Sequence, residues 1–189
     1  MLLSWAQWVG DLPSSIALRE SLYVWPFLES AHVLTLMLFA GTAIMLDLRL
    51  LGVSFRDVPA TAFTDRLLPW TRAAFAVMTI TGALLLFANP VRYYFNLFFR
   101  VKLLLLVVAG VNIWWFHART HRTVGQWDVG VGPPRAARMA AVVSLAAWTG
   151  VIVTGRLVAY NWFDCDIQPQ PAIVNWAAGC RVPGAEAPQ

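Results

Sequence analysis

Charge is scarce in this chain: only 13% of its 189 residues are Asp, Glu, Lys or Arg, about half the share of a soluble domain. Lysine is nearly absent, since 13 of the 14 basic residues are Arg and the other is Lys102. Cysteine is limited to Cys165 and Cys180, both after the last apolar run. No C-x-x-C-H is present, so nothing supports covalent c-type haem. The chain also lacks a Gly-rich phosphate loop, an H-E-x-x-H pair and a nucleophile elbow, the usual marks of an ATP-driven pump or a hydrolase. Zinc-finger spacing and RNA-binding motifs are missing too. The net charge of +4 therefore does not point to nucleic acid, because the arginines fall mainly between apolar runs, as in membrane-protein loops. The first twenty residues have no basic start, and Asp11 and Pro13 break their apolar run, which argues against a signal peptide.

What is abundant is apolar surface. Hydrophobic residues make up 59% of the chain, with 10 Trp and 11 Phe, and the mean hydropathy is +0.61. A membrane-spanning helix needs roughly 20 mostly apolar residues. Four stretches qualify, at about Leu22 to Leu51, Leu67 to Ala88, Leu97 to Ala118 and Ala136 to Tyr160. Asn89-Pro90 and the segment Gly130 to Pro134 break the pattern between them. The expected fold is all-α, a four-helix transmembrane bundle in a lipid bilayer. Residues 1–20 form an N-terminal interfacial segment carrying Trp5 and Trp8, residues 21–160 the bundle, and residues 161–189 a tail. A disulfide between Cys165 and Cys180 would close a loop of about 15 residues. The tail can then be a simple stapled end or a lid over the bundle.

Eight arginines lie in or beside the first and third loops, against six basic residues at the other end, three of them within spans. The positive-inside rule and the need of a disulfide for an oxidising compartment agree. Both place the termini on the periplasmic or exterior face of a bacterial inner membrane. A weak internal repeat is also visible: Ala40-Gly41 recurs as Ala109-Gly110, and Thr81-Gly82 as Thr149-Gly150, which would fit a duplicated helix pair.

Ionisable residues inside membrane helices are costly and tend to be functional. The first span holds Glu29, His32 and Asp47. At about 100° and 1.5 Å per residue, Glu29 and Asp47 share one face about 27 Å apart, with His32 about 60° round from them. Glu29, His32, Lys102 and Arg156 thus fall at one depth near the outer boundary, and Asp47, Arg72, Asn112 and His117 make an inner set. Two chemistries suit such sets. One is a haem b, with His32 as metal ligand and the cations on the propionates. The other is a quinone, hydrogen-bonded by His32 or Lys102 while Glu29 relays protons. His32 and His117 differ by some 15 Å in depth, and His121 shares a helix face with His117, so neither completes a His–His pair with His32; Met78 is a conceivable second ligand. A structural reading stays open: Glu29 pairing with Lys102 or Arg156, Asp47 with Arg49 or Arg72, or cations reaching to the interface. The Trp114-Trp115-Phe116 run and Trp148 read as interface anchors or packing.

The strings RESLYVWPFLESAHVL, DLRLLG, LLPWTRAAFAVMTITGALLLFA, FRVKLLLLVVAGVNIWWFH and WTGVIVTGRLVAY resemble a family of small bacterial integral membrane proteins of unknown function. The resemblance runs from Arg19 to Tyr160 and implies the four-helix architecture without naming an activity. More loosely, intramembrane histidines on four helices are similar to small b-type cytochromes and to the membrane domain of copper-resistance proteins. The expected function is a membrane electron-transfer subunit binding haem or quinone, serving a periplasmic oxidoreductase. The alternatives are an accessory subunit anchoring a larger membrane complex, or a copper-handling protein using histidines and the two cysteines. A homo-oligomer is compatible with each.

Overall fold

The computed structural model describes residues 1–120, 132–160, 162, 163, 165 and 167–180. His121, Arg122, Asp164, Asp166 and Arg181 lie outside the described residues. Four helices are long and apolar enough to cross a membrane: α3 (Val24–Leu51), α4 (Ala60–Ala88), α6 (Leu97–Trp115) and α7 (Arg135–Leu157). Shorter helices precede, separate and follow them: α1 (Leu2–Gly10), α2 (Pro13–Glu20), α5 (Pro90–Phe95) and α8 (Ala172–Ala178). A π-helical turn, Phe116–Thr120, extends α6. No strand occurs among the described residues. The chain is a multi-pass membrane protein, and lipid is the solvent for most of its surface.

The chain's local chemistry sets these boundaries. Gly52 takes a left-handed φ of 72° and returns its N–H to Arg49 and Leu48, ending α3. Proline opens α2 and α5 at the first helical position, where its missing N–H is no loss. Asn96 caps α6 by accepting from the Phe99 N–H at 3.0 Å. The helix expected to begin at Leu67 begins seven residues earlier, at Ala60. Its first two turns carry Thr61, Thr64, Asp65 and Arg66, polar residues that hydropathy discounts but that an interfacial helix end accommodates. The N-terminal segment is two helices broken at Asp11 to Pro13, not one.

The spans pack in the order α4, α3, α7, α6, with α3 central against both α4 and α7. Phe39, Ala74, Met78, Ala109, Ala147, Trp148 and Val151 form a buried cluster that draws on all four. Phe39 meets Trp148 edge-on, centroids 4.5 Å apart, so Trp148 is core packing, whereas Trp114 faces outward. Only 6% of the most apolar window of α6 is buried, leaving that helix for lipid or a partner. The repeat is half reflected in packing: Ala40 and Ala109 are both buried, while Gly41 and Gly110 face open space.

At the end of the bundle that carries the tail, small contacts tie the short helices down. Ser15 donates to the carbonyls of Phe87 and Ala88 at 2.9 and 3.2 Å, satisfying the end of α4. Cys165 and Cys180 are joined, Cα atoms 5.2 Å apart. Arg100 donates to the carbonyls of Ala177, Ala178 and Tyr94, which docks α8 on the start of α6.

Candidate functional site

Near the tail end, α3 lays His32 against α4. The imidazole Nδ1 lies 2.9 Å from the Thr81 hydroxyl. That hydroxyl is also 2.9 Å from the Val77 carbonyl and 3.1 Å from that of Met78. A hydroxyl has one proton, and donating it back along α4 makes Nδ1 the donor to Thr81. In a neutral ring the lone pair would then sit on Nε2, with the imidazole fixed in orientation from behind, as with histidines that serve as bases or ligands. Gly82 allows this approach: a Cβ there would lie 3.1 Å from the His32 Cε1.

Lys102 reaches the same region from α6. Asn96 sets its height by donating to the Val158 carbonyl at 3.3 Å, joining the start of α6 to the end of α7. The Lys102 ammonium lies over Gly155, where a Cβ would stand 3.5 Å from Nζ. It is within electrostatic range of the His32 ring. It forms no ion pair with a described residue, although an ammonium offers three donors. Two second helices thus present a Thr-Gly step to a basic side chain from the first helix of their pair, Thr81-Gly82 to His32 and Thr154-Gly155 to Lys102. The repeat that matters is offset from the Thr149-Gly150 match, because Gly150 instead receives Leu105.

Glu29 is exposed one turn before His32 and interacts electrostatically with Tyr93 of α5. Burial pushes the Tyr93 phenol up, the Arg92 cation opposes this, and the Glu29 carboxylate adds to the rise. Tyr93 also packs on Phe99, centroids 4.9 Å apart. Arg156, the fourth residue expected here, is exposed and turned onto its own helix end, donating to the Tyr160 hydroxyl at 2.8 Å with its guanidinium 4.9 Å from that ring. The structure therefore brings His32, Lys102 and Thr81 together, sets the exposed Glu29 within electrostatic range of Tyr93, and gives Arg156 a local partner. Tyr93 escaped the sequence reading because it lies in a helix break, outside any span.

The other set does not assemble. Asn112 donates to the Ala140 carbonyl at 2.9 Å and braces α6 against α7. His117 is exposed, with Nδ1 2.9 Å from the Ile113 carbonyl, and Arg72 is exposed on α4. Asp47 is buried at 7% exposure. It accepts from Ser144 of α7, and its Oδ2 has no hydrogen-bond partner among the described residues. Arg49, also buried, donates through Nε to the Val58 carbonyl at 2.7 Å instead of pairing with Asp47. None of Glu29, Asp47, Lys102 and Arg156 forms an ion pair with another described residue, so the charge-pairing alternatives find no support in the geometry.

A low-spin haem needs an axial ligand on each face of one iron. His32 can offer Nε2 to one face. His117 is 15 positions beyond Lys102 on the α6 axis, about 22 Å away by helical rise, and Met78 is packed in the core cluster. Among the described residues no group of three or more His, Cys, Asp or Glu could hold a metal ion.

No curated protein and no solved structure matches the chain. A family model matches residues 19–161, from the end of α2 to just past α7, and so covers all four spans and every grouped residue. The chain belongs to that family, DUF6644, a family of unknown function.

Proposed function

We propose that the protein is a membrane electron-transfer subunit whose tail-end cluster binds a quinone headgroup. The observation that carries this reading is a back-anchored His32 within electrostatic range of a Lys102 ammonium that has no ion-pair partner among the described residues. The bound ring supplies reversible two-electron, two-proton chemistry. In the reduced ring, the oxygen that faces Lys102 would accept its hydrogen bond and release its own proton to solvent, and Nε2 of a neutral His32 would accept the proton of the other oxygen. Glu29, a turn nearer the surface and exposed, passes the proton to water. Tyr93, whose phenol burial keeps protonated, stands within electrostatic range of the Glu29 carboxylate. Electrons leave to a redox partner protein docked at the same end, a role that fits a periplasmic oxidoreductase. In this reading the arginine-rich loops face the cytoplasm and both termini face the periplasm, as the positive-inside rule directs.

The test is lipid extraction and a visible spectrum on protein purified in mild detergent. Quinone near one equivalent per chain is expected, lost in His32→Ala and in Lys102→Met, with no Soret band. A Soret band with sharp reduced α and β bands would replace the quinone by haem b. Neither pigment nor quinone, with a stoichiometric partner protein retained, would leave an accessory subunit.

A further inference from the structure

At the opposite end of the bundle, the last turn of α3, the loop after it and the entry to α7 enclose a cavity of about 360 Å³. Its lining includes Arg49, Arg56 and Arg138, with Gly52, Gly132 and Pro133 between them. Arg49 is only 6% exposed, and its Nε bond to Val58 fixes the guanidinium plane. Arg56 is anchored the same way, Nε to the Gly52 carbonyl. Arg138 stands in the first turns of α7, whose start has neither a side-chain cap nor an acidic residue, so the helix adds its own positive end. Gly52 and Gly132 both hold left-handed backbone, φ 72° and 78°, which leaves this wall free of side chains there.

Among the described residues no Asp or Glu lines the cavity, and none of the three arginines forms an ion pair with a described residue. Asp47, two positions before Arg49 on α3, accepts from Ser144 and does not pair with these arginines. A topological preference for arginine in loops accounts for positive charge at this end. It does not account for three arginines lining one cavity with one of them buried, since a buried guanidinium is costly without a counter-charge. Guanidinium forks match phosphate oxygens in pairs.

We propose that this cavity binds a phosphate group, carried by an anionic phospholipid headgroup or free in solution. The site is independent of the tail-end cluster. The test uses the full-length protein, delipidated in detergent, with native mass spectrometry after adding phosphatidylglycerol or phosphatidylcholine, and thermal melts with added inorganic phosphate. Phosphatidylglycerol should be retained about tenfold more tightly than phosphatidylcholine, and Arg56→Gln or Arg138→Gln, both at exposed positions, should each weaken it by about tenfold. If inorganic phosphate raises the melting temperature and displaces the lipid, the site stands with free phosphate as a ligand; if it does neither, the site stands as lipid-selective. Equal retention of the two lipids without a melting shift from inorganic phosphate overturns the proposal, as does binding unchanged in both variants. Arg49→Gln, at a buried position, is read only where its melt matches the parent.

Discussion

The imidazole of His32 and the hydroxyl of Thr81, 49 positions apart in the chain, meet at 2.9 Å across the α3–α4 interface. The contact needs a small residue beside it, and Gly82 provides one. Gly82→Ala would gain up to about 1 kcal/mol of helix propensity but would press a methyl within 3.1 Å of the ring. On the proposed quinone reading, the expected outcome is a bundle that still folds but no longer retains added quinone. Helical circular dichroism alongside extracted quinone separates the two effects, and full retention would show that the ring's seat is not what the site requires.

Glycines elsewhere should behave by their surroundings. At Gly41 and Gly110 an added Cβ meets nothing, so Ala should leave stability unchanged or raise it by up to about 1 kcal/mol. At Gly150 the Cβ would come within 2.8 Å of a Leu105 methyl, and overpacking of that kind costs about 1–3 kcal/mol. Thermal melts of the three variants in one detergent should order them accordingly.

Asp47 depends on Ser144 for a donor, since its other oxygen has none. Ser144→Ala should destabilise the bundle by about 1–3 kcal/mol, the cost of leaving a buried polar group unsatisfied. A double-mutant cycle with Asp47→Ala should return a coupling energy of at least about 0.5 kcal/mol. Strict additivity would mean the two do not interact.

Tyr93 supplies a pH signature outside the spans. Its phenol titrates above the ordinary 10.0 because burial disfavours the anion and Glu29 lies near. Folding therefore favours the neutral phenol: this contribution to stability is full below pH 10 and is lost as pH rises through the raised value. Among the 4 tyrosines, absorbance near the tyrosinate band should show a late-ionising one, removed by Tyr93→Phe. Glu29→Gln should bring that ionisation to lower pH.

The tail should loosen on reduction. The bridge spans 15 positions, which in the chain-entropy model is worth roughly 3 kcal/mol. Dithiothreitol should lower the melting temperature and open the tail to proteolysis. Arg100→Gln, which removes the bonds to Ala177 and Ala178, should speed cleavage even with the bridge intact.

The spans, the all-helical class and the cysteine pair were legible in the chain, because apolar runs of membrane length and two isolated cysteines leave little else to form. Helical periodicity also set the depth of Glu29, His32 and Lys102, since rise per residue is a local property. Which neighbour each one meets was not legible. The α4–α3–α7–α6 order is an outcome of side-chain fit between helices distant in sequence, and it sends Arg156 to Tyr160 and Asp47 to Ser144. It also leaves Asn112 and His117 on contacts of their own. Tyr93 enters through a six-residue helix that hydropathy does not register. Sequence by itself determined a membrane bundle with charges at fixed intervals along its helices; tertiary structure alone decided which of them face each other, because burial in lipid constrains every helix while pairing is specific to each interface.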